Sequence, residues 1–394
     1  MERIPFYKPG IDQRDIDAVV STLSSGWLAR GPRVREFEEQ FAAKVKAPLA
    51  VATSSCTSAL YCALRSAGVR PGHAVVLPSL TFTGTAEAVR MVGAELVFAD
   101  VGPAHLMIDA NTIREAAQAY ERETGLKVKA AIVVHYGGEI ADVDDIIEYC
   151  EREKITVIND CAHCLEAKYL NADGTEKYVG ELPGLSCFSF YPNKCITTGL
   201  GGMVTGSVDE GILNCRALVN HGITNSPLRP SWDYDVTAEG FNFNMSDLAA
   251  AIGISQLAKS ETFHQHRKRI QSSYDAAFGC HSIVSPMTGH KANTESSIHL
   301  YVLALKKRRH LRKDILKDLL DRGINTSVHW RPLHRHPYYQ LLAKQGTAHG
   351  FDLRKTDAVA PTIFSLPCYP SLTDGDIQHV IEAVNEVLDR SREE

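Results

Sequence analysis

The 394-residue chain predicts an α/β fold, a mostly parallel mixed sheet in a large domain followed by a smaller α+β domain. Three observations predict it. Between residue 49 and about residue 206, short apolar runs alternate with helical stretches. The runs are continuously apolar, as in strands buried on both faces under crossover helices. After about residue 265 the pattern changes to one strand among longer helices. The expected division is 1–260 for an N-terminal segment with the large domain, and 261–394 for the small one.

Residues 11–45 carry apolar positions at helical spacing, Ile16, Val19, Val20 and Leu23, then Val34, Phe37, Phe41 and Val45. The loop Ser24–Pro32 between them holds Trp27 and Arg30 among glycines, which suits ligand contact better than packing. Strands are then expected at Leu49–Thr53, Ala74–Leu77, Glu95–Ala99, Ala130–His135, Thr156–Asp160, Ser186–Phe190 and Met203–Thr205. Helices are expected at Ser58–Ala67, Thr83–Val92, Ala110–Glu123 and Val143–Glu153. A polar loop from Asn225 to Asp235 leads to the helix Leu248–Lys259. The last part holds a strand, His299–Leu305, helices Leu311–Arg322 and Asp374–Leu388, and a histidine-rich loop from His329 to His336.

Composition narrows the function classes. Hydrophobic residues make up 44% and charged residues 23%, with a net charge of −5, so nothing points to nucleic acid or an anionic membrane surface. No apolar run reaches the ~18 residues of a membrane span, and the first residues lack a secretory apolar stretch. A cytoplasmic location is expected, where ten scattered cysteines stay reduced. Cys161-Ala-His-Cys164 has no second ligand pair to complete a zinc site and reads as packing thiols.

In such sheets, sites form beyond the carboxyl ends of the strands. Thr53–Ser58 follows a strand and opens a helix, where hydroxyls and unpaired amides make an anion cup or an ordinary N-cap. No GxxxxGK[ST] is present, and a strand follows Gly199-Leu-Gly-Gly202, so neither nucleotide fingerprint applies. Phe82 lies at another strand end, as a stacking ring or a core residue. Asp160 ends a third strand, where a carboxylate can hold a pyridine nitrogen protonated or cap a helix. Ser189 stands five positions before Lys194. Lys194 sits among apolar, small and hydroxyl residues, and lost hydration would lower its pKa and free its amine for Schiff-base chemistry.

The order of these groups, anion cup, aromatic, carboxylate, hydroxyl, lysine, resembles the DegT/DnrJ/EryC1/StrS family of sugar aminotransferases that depend on pyridoxal 5′-phosphate (PLP). The segments that carry the resemblance are Ser25–Pro32, Asp160–His163, Phe188–Lys194, Gly240–Asp247 and Val328–His334, spread almost end to end. It implies PLP fold type I, the aspartate aminotransferase architecture. It also implies that Lys194 is the Schiff-base lysine and Asp160 the partner of the pyridine nitrogen. By the same resemblance His163 lies near the cofactor's 3-oxygen, Phe82 stacks on its ring, and Thr57, Ser58 and Ser189 bind its phosphate. Asn242 matches an asparagine that reaches the neighbouring subunit's cofactor, which implies a homodimer. Trp27 and His329 lie in segments that line the sugar site, and Arg30 or Arg229 could meet a nucleotide diphosphate.

Leu200 and Asn159 depart from the pattern, since the family usually has Glu at both positions. The expected activity moves an amino group from an amino acid, glutamate above all, to a nucleotide-linked 4-keto-6-deoxyhexose by way of a pyridoxamine form. The alternatives are a keto-cyclitol or 3-keto-sugar acceptor, a PLP-dependent sugar dehydratase, and a non-catalytic PLP-binding regulatory protein.

Overall fold

The computed structural model describes residues 3–102, 105–170, 173–207, 210–225, 230, 232–289, 291–306 and 312–393. The chain opens with α1 (Gln13–Ser25) and α2 (Pro32–Val45). Asp12 caps α1 in a reciprocal box with Asp15, and Gly26 closes it in the left-handed region.

Five strands alternate with four helices over the next stretch: β1 (Leu49–Thr53), α3 (Cys56–Ser66), β2 (Ala74–Pro78), α4 (Thr83–Met91), β3 (Glu95–Ala99), α5 (Ala110–Thr124), β4 (Ala130–Val134), α6 (Val143–Glu153) and β5 (Thr156–Asp160). A short ribbon, β6 (Lys168–Leu170) and β7 (Glu176–Tyr178), precedes β8 (Leu185–Ser189) and β9 (Gly202–Gly206). The large sheet has the order β1-β9-β8-β5-β4-β2-β3, extended by one further strand. Among these strands only β9 runs against the rest, pairing antiparallel with β1 and β8.

Alternate residues of one strand feed two cores: Val75 and Leu77 of β2 pack on one face, Ala74 and Val76 on the other. This explains why the strands read as continuous apolar runs. Small residues also matter. A Cβ on Gly202 would lie 2.5 Å from the Ser55 carbonyl, so β9 can pass the start of α3 only as glycine.

Then follow α7 (Glu210–Val219), the ribbon β10 (Ile223–Asn225) and β11 (Tyr234–Val236), α8 (Asp247–Leu257) and α9 (Ser260–Phe278). The ribbon stands where an irregular polar loop was expected, and Arg229 lies outside the described residues. The rest comprises β12 (Val284–Pro286), β13 (Thr294–Glu295), β14 (Tyr301–Leu305), α10 (Arg312–Asp321), α11 (Pro337–Lys344), β15 (Ala348–His349), α12 (Arg354–Val359), β16 (Ile363–Leu366) and α13 (Asp374–Glu393). A second sheet, β12-β14-β16, packs with α9, α10 and α13 around its own core of Tyr274, Leu303, Phe364 and Val384.

Further details differ from the sequence expectation. β15, too short to show a period, extends the large sheet beside β3. The strand expected from His299 begins at Tyr301, because the His299 and Leu300 amides bond instead to the Gly137 carbonyl, at 3.1 and 3.2 Å. The helix expected from Leu311 is described from Arg312, Leu311 itself lying outside the described residues.

Candidate active site

A cavity of about 390 Å³ opens at the carboxyl ends of the large sheet's strands, lined in part by residues 299, 329 and 330 of the last third of the chain. Asp160 ends β5, a strand held in parallel register between β4 and β8, which places its carboxylate at the sheet rim. It is buried and held from two sides. Thr85 Oγ1 donates to Oδ2 at 2.9 Å, and the Ala162 amide donates to Oδ1 at 3.2 Å. Burial pushes its carboxyl up, opposed by those bonds and by the Lys194 charge.

Lys194 sits in the turn between β8 and β9. Its amide bonds to the Tyr191 carbonyl at 2.9 Å, and the Thr198 amide closes the loop on the Phe190 carbonyl at 3.0 Å. Burial depresses its ammonium below the ordinary lysine range, with the Cys56 and Asp160 side chains pulling the other way. The amine therefore faces the same cavity as Asp160 with a reduced hold on its proton.

The start of α3 forms the anion cup. Ser55 caps the helix, and its hydroxyl accepts from the Ser58 amide while Ser58 Oγ accepts from the Ser55 amide at 2.9 Å. Ser58 is thus turned into the cap and does not line the cavity. Ser55 and Thr57 do, beside the Cys56 and Thr57 amides that have no acceptor inside the helix. Ser189, at the end of β8, lines the cavity as well. A Cβ on Gly84 would come within 2.8 Å of Thr57 Oγ1, so glycine keeps this wall open.

Phe82 stands at the cavity wall with 59% of its surface exposed, a ring left without a packing partner on one side. His163, which also lines the cavity, is buried. Its Nδ1 accepts from the Gly137 amide at 3.2 Å, which leaves the ring proton on Nε2. Burial, then Lys194 and His329, hold it well below the usual histidine range, so it is a neutral donor. Its ring lies 4.2 Å from that of His299 and stacks on Trp330 at 5.5 Å. His329 also lines the cavity, with Nδ1 2.8 Å from Ser365 Oγ, and burial pushes its pKa down to about 3.

The structure thus brings together Lys194, Asp160, Thr57, Phe82, His163, Ser189 and His329. Trp27, Arg30 and Asn242 lie outside the cavity. Trp27 is 61% exposed. Arg30 is engaged by buried Glu38 at 3.5 Å and by Asn244 at 3.2 Å. Exposed Asn242 accepts from Asn244 Nδ2 at 3.0 Å. Sequence reading missed Thr85, His299 and Trp330, and named Ser55 only as part of the Thr53–Ser58 anion cup.

The two departures have different surroundings. Asn159 Nδ2 donates to the Pro183 carbonyl at 2.8 Å, and its Oδ1 lies 3.2 Å from His135 Nε2, so it serves packing under the sheet. Leu200 is exposed at the cavity edge. Cys161 and Cys164 are buried in an apolar core, and all ten cysteines are free. Among the described residues no group of His, Cys, Asp and Glu could hold a metal ion, and no helix is long and apolar enough to cross a membrane.

An amine and a strand-end carboxylate facing one cavity, with an anion cup and a bare aromatic ring beside them, fit a pyridine aldehyde phosphate and define a PLP-dependent aminotransferase of fold type I. Residues 9–385 match the model of the DegT/DnrJ/EryC1/StrS aminotransferase family, and the chain belongs to that family. It is 36% identical to the spore coat polysaccharide biosynthesis protein SpsC of Bacillus subtilis, over 98% of this chain and 97% of that one. It is 31% identical to a UDP-4-amino-4,6-dideoxy-N-acetyl-beta-L-altrosamine transaminase of Campylobacter jejuni, over 98% of each. Among solved structures, the PLP-form of the putative sugar aminotransferase Spr1654 from Streptococcus pneumoniae superposes with a TM-score of 0.88. It is 28% identical over 98% of this chain and 99% of that one, and a PMP-form of the same protein aligns at 0.89.

Proposed function

We propose that this enzyme transfers the amino group of an amino acid, glutamate in the first place, to a nucleotide-linked 4-keto-6-deoxyhexose. The observation that carries the reading is the pair Lys194 and Asp160, which face one cavity from two different strand ends. The transaminase of similar sequence from Campylobacter jejuni, whose name describes a UDP-linked 4-amino-4,6-dideoxy sugar, supports the acceptor class.

When bound, PLP supplies an aldehyde that takes up the amino group and a ring that withdraws electrons from the donor's α-carbon. Asp160, whose carboxylate form is favoured against burial by Thr85 and the Ala162 amide, would pair with the ring nitrogen. Thr57, Ser189 and the amides opening α3 would hold the phosphate, with Ser58 setting the cap that aims them. Phe82 would cover one ring face, and the His163 Nε2 proton would meet the 3-oxygen. The Lys194 amine, its hold on a proton weakened by burial, would take the α-proton of the donor and deliver it to C4′, then work in reverse on the keto-sugar.

The sugar would lie toward His329. Trp27, Arg30 and Asn242 would act in a homodimer with shared sites, a reading supported by the exposed Trp27, Leu28 and Phe241 beside them. As part of the same reading, the enzyme would work in the cytoplasm.

The test is incubation with glutamate and a panel of UDP-, GDP- and dTDP-linked keto-sugars, the products identified by mass and NMR. An amino sugar with stoichiometric 2-oxoglutarate supports the reading. Ammonia release without an amino sugar would replace it with a lyase.

A further inference from the structure

Arg267, on α9, is 3% exposed, and its Nε and Nη1 are buried with no hydrogen-bond partner. Among the described residues it forms no ion pair, whereas its helix neighbour Lys268 is bound to Glu295. The guanidinium charge acts on the Cys195 and Cys368 thiols and on the His299 ring. Burial keeps both thiols protonated and the ring neutral, so none of the three is a counter-ion. A buried cation without an anion is destabilising.

Arg267 faces a small space behind the Lys194 turn. About 10 Å³ of it is open to the centre of a water-sized sphere, room for one water or one ion of similar radius. Two cationic residues, Lys8 and Arg267, line this space beside the Lys194 turn, and no Asp or Glu does. Asn193 also faces it, with a buried Oδ1 that has no donor. Its amide loses no bond by turning the NH2 end inward. A water would satisfy the hydrogen bonds and leave the charge uncompensated. An anion answers both.

We propose that the space between Arg267 and Asn193 binds one monovalent anion of the halide class, chloride in the cell. The ion would tie four parts of the chain together: the N-terminal strap at Tyr7–Gly10, the turn holding Lys194, α9, and the Tyr369-Pro370 segment. Bound there, it fixes the back of the Lys194 turn without entering the cavity where the transferred group is handled. The site is independent of the acceptor sugar and of the reaction, and its test has no catalytic readout.

Crystals of the wild-type protein grown in sodium bromide should show one anomalous peak in contact with the Arg267 guanidinium. The melting temperature should rise by about 2 °C or more when gluconate is replaced by chloride at constant ionic strength. In Arg267→Gln that halide-dependent rise should vanish. A water at the position in bromide-grown crystals, or a carboxylate of a second subunit filling it, would overturn the proposal. So would a rise of the same size in the variant. If Arg267→Gln fails to fold, the bromide crystals decide alone.

Discussion

Thr85 Oγ1 donates its proton to Asp160 Oδ2 at 2.9 Å, joining the first turn of α4 to the end of β5. Because that proton is committed, the 2.9 Å contact between Thr81 and Thr85 must use the Thr81 proton, and a two-hydroxyl chain ends on the carboxylate. Burial alone would drive Asp160 toward its neutral acid, which cannot balance a protonated pyridine ring. Thr85→Val should therefore weaken PLP binding about tenfold or more, the loss of one bond to a charged group, and Thr85→Ser should restore it. Titration of the apoprotein with PLP measures both.

Phe82 separates binding from stability. Its ring is largely exposed and its removal opens no cavity, so Phe82→Ala should change unfolding free energy by no more than about 0.5 kcal/mol. Loss of a stacked ring should weaken PLP binding several-fold, about 1 kcal/mol. A variant that melts early instead would place the ring in the core.

Lys194 is proposed both to anchor the cofactor and to move the proton. Borohydride reduction of the holoenzyme should fix the cofactor to one peptide, and that peptide should contain Lys194. Lys194→Ala should lose turnover by about 10,000-fold or more. Label on another lysine, or near-normal turnover in the variant, would remove the assignment.

Groups set by local pattern were readable in the sequence. Asp160 ends an apolar run, Lys194 follows the next one, and Ser55–Ser58 opens a helix, so each could be placed at a strand end from spacing alone. Side-chain direction was less readable. Ser58 was expected in the anion cup, but as third residue of α3 it returns its hydroxyl to the Ser55 amide, leaving the cavity wall to Ser55 and Thr57. Contacts made across the chain left no local mark. Nothing near His299 foretells that its amide bonds to Gly137, whose own amide fixes the His163 tautomer. Nor does the sequence near Arg30 foretell its tie to buried Glu38.

His135 makes the protein acid-sensitive. It is fully buried at the end of β4, with the Ala141 amide donating to Nδ1 at 3.1 Å and Asn159 Oδ1 facing Nε2. Burial, opposed by the Asn159 bond and aided by Lys291, pushes its pKa down to about 4. An unfolded histidine titrates near 6.5, so between roughly pH 6.5 and 4 the unfolded chain binds the extra proton. Stability conferred by the neutral ring is therefore present above that window and is lost as pH falls through it. At constant cofactor saturation, His135→Gln should start less stable at pH 7. Between pH 7 and 4.5 it should lose about 2 kcal/mol less than the wild type, since glutamine takes up no proton. Urea denaturation at the two pH values measures the difference, and parallel losses in both proteins would show that His135 is not the group responsible.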